Sequence, residues 1–117
     1  MGRISTHVLD TTRGAPAPGV AVELYAADGA GWRLVGAART NADGRTDEPL
    51  LSGERVTSGV YELRFAAAEY FRAPGAPDGG PAFLETVVIR FGVANAAGHY
   101  HVPLLISPYG YTTYRGS

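Results

Sequence analysis

The sequence has 117 residues, no cysteine, and 10 Lys+Arg against 11 Asp+Glu, a formal net charge of −1. That length holds one core; the missing cysteine excludes disulfides, thiolate nucleophiles and cysteine-bearing zinc sites, and the charge balance offers no footprint for nucleic acid or an anionic membrane. No apolar run approaches the roughly 18 residues that cross a bilayer, and Met1–His7 has no signal-peptide stretch. The expectation is a single cytoplasmic domain over residues 1–117, with neither nucleic acid nor membrane as partner.

Hydrophobicity alternates with period two along most of the chain, and 16 glycines with 8 prolines punctuate it. Ile4–Asp10 places Ile4, Thr6 and Val8 on one strand face and Ser5, His7 and Leu9 on the other. The stiff Arg13–Gly19 stretch reads as a connection. Val20–Tyr25 sets Val20, Val22 and Leu24 opposite Ala21, Glu23 and Tyr25, and Trp32–Thr40 follows after a hairpin signal, Asp28-Gly29-Ala30-Gly31. Asn41-Ala42-Asp43-Gly44 is a tight turn that delivers Arg45 at a fixed place. Val60–Phe65 turns Tyr61, Leu63 and Phe65 inward and Val60, Glu62 and Arg64 outward. Ala66–Arg72 is the one helical stretch, at most about two turns, ended by Pro74-Gly75. Pro74–Pro81 reads as a loop. Strands are then predicted over Phe83–Phe91, His99–Ser107 and Tyr109–Tyr114, the last two joined at Ser107-Pro108. Seven strands with regular turn signals predict an all-β sandwich or barrel.

Three histidines stand out. His99 and His101 flank Tyr100 and so share one strand face with Pro103 and Leu105. If Val8, Val102, Leu104 and Ile106 fill the core, then His7, Leu9, His101 and Leu105 point outward, and exposed leucines on an outer sheet call for another subunit as cover. A strand histidine facing solvent is the bland alternative. A zinc site built from His7, His99 and His101 is a second, with no acidic partner near in sequence. Neither a G-x-S-x-G elbow nor a glycine-rich phosphate loop is present. The tyrosine-dense end, Tyr109 to Ser117, points to a terminus packed against something rather than fraying.

Four motifs in order, Thr6-His7-Val8-Leu9-Asp10, Asn41-Ala42-Asp43-Gly44-Arg45, His99-Tyr100-His101-Val102-Pro103-Leu104-Leu105 and Tyr114-Arg115-Gly116-Ser117, resemble the transthyretin-like 5-hydroxyisourate hydrolase family over essentially the whole chain. The resemblance implies a prealbumin-like sandwich of two four-stranded sheets with one short helix, the eighth strand lying near Leu50-Leu51. It also implies a homotetramer with active sites at the dimer–dimer interface, a small-molecule substrate (5-hydroxyisourate) and no cofactor or metal. Carried over by position, His7, Arg45, His101 and Ser117 are the expected catalytic residues, with His7, Arg45 and Tyr114 binding substrate; Ser117 brings a hydroxyl and a carboxylate. His99 has no catalytic counterpart and reads as structural. One departure is Ala82-Phe83-Leu84-Glu85, where the family commonly has an aromatic-aromatic-Pro-Glu stretch; it bears on the loop before Val87.

Hydrolysis of the strained purine lactam requires a water to lose a proton, charge on the carbonyl oxygen to be stabilised and the leaving nitrogen to gain a proton. His7 is the expected base, with His101 positioning water or returning the proton. Arg45 supplies planar donors and should hold nearby imidazoles neutral. A ligand carrier on the same sandwich is the competing function, since fold alone does not fix activity.

Overall fold

The alternating segments pair into two sheets, which the computed structural model describes over residues 1–72 and 80–117. In chain order the elements are β1 (Arg3–Asp10), β2 (Ala15–Pro16), β3 (Ala21–Asp28), β4 (Gly31–Arg39), β5 (Leu51–Ser52), a 3₁₀ turn (Gly53–Arg55), β6 (Gly59–Phe65), α1 (Ala67–Phe71), β7 (Val87–Val93), β8 (His99–Ser107) and β9 (Gly110–Thr113). One sheet runs β2-β1-β8-β9, with β5 also pairing β1; the other runs β4-β3-β6-β7. The first sheet therefore counts five strands rather than the expected four. The additional strand is β2; it and β5 are two residues each, too short to show a period. The implied strand near Leu50-Leu51 is β5, where Ile4 faces Leu51.

Between the sheets lie the faces that the alternation selected. Ile4, Val8, Val22, Leu24, Leu63, Phe65, Leu104 and Ile106 are all essentially inaccessible to water. Each such side chain stabilises the fold by roughly 1.5–3 kcal/mol relative to exposure. Glu62 was expected outward and does lie on the outer face, yet it is buried. The Arg64 and Arg90 side chains fold over it, each donating at 3.0 Å, and stack in turn on Tyr25 and Trp32. Burial opposes the charge of Glu62, but these donated hydrogen bonds outweigh it and hold the carboxyl below its ordinary range.

Several boundaries differ from the sequence reading. The seventh strand begins at Val87, not Phe83, because its partner β6 ends at Phe65, opposite Val87, and turns into α1. Phe83 is instead exposed, its ring 6.0 Å from that of Tyr109, while Glu85 accepts the Ala68 N–H. The helix is five residues, little more than one turn. Its expected stop at Pro74-Gly75 and most of the Pro74–Pro81 loop lie outside the described residues. The hairpin at Gly29-Ala30 follows expectation: Asp28 pairs Gly31, and Gly29 takes φ +61°.

For the site, the decisive pairing is β1 with β8, parallel, with Ser5 opposite His101 and His7 opposite Pro103. Distant segments of the chain thereby place two histidines on one outer face, offset by a single strand step.

Candidate active site

Three pieces of chain converge on the outer face of the first sheet. The first is β1, whose alternation brings Arg3, Ser5 and His7 to that face while Ile4, Thr6 and Val8 are buried beneath. The second is the Asn41–Arg45 turn. Thr40, itself buried, accepts the Val20 N–H and donates to the Ala17 carbonyl, pinning the turn's root. Asn41 Oδ1 accepts from the Asp43 and Arg45 N–H groups, an Asx arrangement that shapes the turn. Gly44 then approaches β1 so closely that its carbonyl accepts the Val8 N–H at 2.8 Å, and Arg45 forms a bridge with His7. The third is the C-terminal tail, where the Gly116 N–H donates to the His101 carbonyl at 2.7 Å.

These segments line an open cavity of about 440 Å³ whose walls include His7, Arg45, His101, Tyr114 and Ser117. Every site residue expected from the sequence is thus in one place. Others at the wall were not singled out: Arg3 and Ser5 from β1, Thr46 to Pro49 after the turn, and Gly116. Period two had put Ser5 on the His7 face, which was the available signal; the acidic Asp47 and Glu48 gave none.

The two imidazoles touch. His7 Nδ1 and His101 Nε2 are 2.7 Å apart, with ring centroids 4.9 Å apart. His101 Nδ1 is hydrogen bonded to Ser5 Oγ at 2.8 Å. Both imidazoles are held below the ordinary histidine range, chiefly by burial. Like charge adds to this: Arg45 acts on His7, and His7, Arg45 and Arg3 act on His101. Arg45 therefore acts on both imidazoles in the expected direction, though desolvation is the larger cause. His99 is elsewhere. Its Nε2 meets the Met1 carbonyl at 3.1 Å, and its own carbonyl accepts from Arg115. Among the described residues no three His, Asp or Glu side chains are grouped to hold a metal ion.

Such a set, two hydrogen-bonded imidazoles beside a guanidinium, can move protons and hold a planar, electron-rich ligand. Residues 4–116 match the sequence profile of the HIUase/Transthyretin family. The chain belongs to this family. A relative within it, the 5-hydroxyisourate hydrolase of Pseudomonas aeruginosa, is 55% identical over 117 residues, which cover 100% of this chain and 93% of that protein. Among solved structures, (S)-allantoin synthase is similar with a TM-score of 0.87 and 44% identity; the match covers 99% of this chain, which spans 44% of that longer one. Sea bream transthyretin in complex with thyroxine matches with a TM-score of 0.84 at 28% identity, covering 97% of this chain and 94% of that one. Among the described residues no helix is long and apolar enough to cross a membrane.

Proposed function

We propose that this member of the HIUase/Transthyretin family is a 5-hydroxyisourate hydrolase, opening the six-membered ring to give 2-oxo-4-hydroxy-4-carboxy-5-ureidoimidazoline. The observation that carries the reading is the 2.7 Å contact between His7 and His101 in a cavity that also holds Arg45. A carrier of an apolar ligand gains nothing from such a pair. The 55% identity to a named hydrolase, against 28% to a thyroxine-binding transthyretin, points the same way.

His7 is the base. Its Nδ1 is committed to His101, which leaves Nε2 to take a proton from water. The resulting hydroxide adds to the lactam carbonyl carbon, and the bond from that carbon to the ring nitrogen breaks. The nitrogen leaves with the proton that His7 took from water, and the carboxylic acid formed at the carbon ionises to a carboxylate. Arg45 stabilises the charge that grows on the carbonyl oxygen. His101 was expected to touch water or return the proton itself, but both its ring nitrogens are engaged, so it acts through His7. Tyr114 and the Ser117 hydroxyl and carboxylate complete the binding wall. Water and side chains suffice for this sequence of steps, without a cofactor.

The working unit is a homotetramer in the cytoplasm, each chain one transthyretin-like domain over residues 1–117, with the sites where two dimers meet. Leu9 and Leu105, paired with each other on the same outer face and only half-buried, support this. A second copy laid there covers them and closes the open cavity.

The test is ring opening of freshly generated 5-hydroxyisourate, followed by its ultraviolet absorbance. His101→Asn should lose about 10²–10⁴-fold in turnover while keeping the wild-type assembly on a sizing column. Turnover equal to wild type in that variant, or none in the wild type, overturns the reading.

A further inference from the structure

Ser5, His101 and His7 form a continuous hydrogen-bonded row across β1 and β8, at 2.8 and 2.7 Å. Two neutral imidazoles have two ring protons for four nitrogens, and one proton must lie between His101 Nε2 and His7 Nδ1. Only two arrangements remain. In one, His7 donates to His101, His101 Nδ1–H donates to the Ser5 oxygen, and His7 Nε2 is bare. In the other every donor is reversed: Ser5 donates to a bare His101 Nδ1, and His7 Nε2 holds a proton. A base needs the first arrangement. A hydroxyl at the end of the row can serve either arrangement; in the first it accepts the His101 Nδ1 proton and turns its own aside.

We propose that Ser5 is a positioning residue: its hydroxyl accepts the His101 Nδ1 proton and locks the imidazole pair in the arrangement that leaves His7 Nε2 bare. The charges around the cavity favour the same choice. Arg45 bridges His7 in the backbone and lines the cavity, whereas Arg3, also at the wall, acts on His101 and not on His7. A bare His7 Nε2 presents negative partial charge to the Arg45 guanidinium, whereas an N–H would present positive. The remaining ionisable groups at the wall, Asp47, Glu48, Tyr114 and Ser117, arrive from the turn and the tail; the bonds of the row run among Ser5, His101 and His7. The inference deepens the hydrolase reading and rests on it for the role of His7, but the tautomer itself is independent of any substrate.

The experiment is long-range ¹H–¹⁵N correlation of histidine-labelled protein at mildly alkaline pH, where both imidazoles are neutral. The expected spectrum shows His101 and His7 each protonated at Nδ1. In Ser5→Ala, the His101 proton should redistribute toward Nε2, and kcat should fall about tenfold, the worth of one hydrogen bond, with KM within about twofold. Ser5→Thr, which restores a hydroxyl, should recover both tautomer and kcat. A wild-type spectrum with the proton on His101 Nε2 overturns the proposal without needing any variant. So does a Ser5→Ala protein whose tautomers are unchanged. If the wild type fails to open the ring, the hydrolase reading falls, while the spectrum still decides the tautomer.

Discussion

Gly44 is the position where backbone geometry, stability and the site are most tightly joined. It adopts φ +72°, and a Cβ built there lies 2.4 Å from the Val8 carbonyl oxygen and 3.1 Å from Pro16 Cβ. The left-handed backbone alone costs an alanine about 1–2 kcal/mol. The Val8 oxygen belongs to a ladder strand and cannot yield, so the turn must move away and lose the 2.8 Å bond from Val8 N–H to the Gly44 carbonyl. That adds about 0.5–1.5 kcal/mol, for a total of about 1.5–3.5 kcal/mol. Gly14 is the internal control: it has φ +63° with no atom within 4 Å of the built Cβ. Gly14→Ala should therefore show the backbone cost only. Urea denaturation of both variants at one protein concentration measures the difference. Gly44→Ala should be the less stable by about 0.5–1.5 kcal/mol, and its ring-opening rate should drop because Arg45 no longer bridges His7. Equal destabilisation of the two variants with wild-type turnover in Gly44→Ala would refute the claim that close approach of this turn places Arg45.

Further outcomes follow from the same geometry. Removing Tyr114–Ser117 takes away the Gly116–His101 bond and one cavity wall but none of the core; turnover should collapse with only a mild fall in melting temperature, and an unaffected rate would mean the tail is a mere edge. Because both imidazoles are held low, by burial first and by neighbouring positive charge second, the acid limb of kcat/KM should lie below the ordinary histidine range near 6.5. The same shifts set the sign for stability. In the window from about 6.5 down to the folded pKa values the unfolded chain binds more protons, so stability falls as pH falls through it; urea midpoints that rise on acidification there would contradict this. Glu62→Gln keeps the shape but weakens two charged hydrogen bonds to a buried group. It should cost about 1–3 kcal/mol, toward the lower end because Arg90 is largely exposed, as read by thermal or urea melting.

Period-two alternation sufficed for the strands because a strand's side chains point to opposite faces whatever the rest of the chain does. From it came the buried faces of β1, β6 and β8, the outward aim of His7 and His101, and the all-β class. Glycine chemistry likewise announced the Gly29 hairpin and the Gly44 turn, since positive φ is a local property. The family resemblance implied that His7, Arg45, His101, Tyr114 and Ser117 share a site, and they do line one cavity. What local pattern cannot contain is the partner. That β7 starts only at Val87 depends on where β6 ends, and that Glu62 is buried depends on two arginines from different strands. The row from Ser5 through His101 to His7 exists because β1 and β8 pair in parallel with Ser5 opposite His101. Shifted by one residue, every side chain would change faces and the row would vanish, for register is a relation between distant strands that neither strand's own residues express.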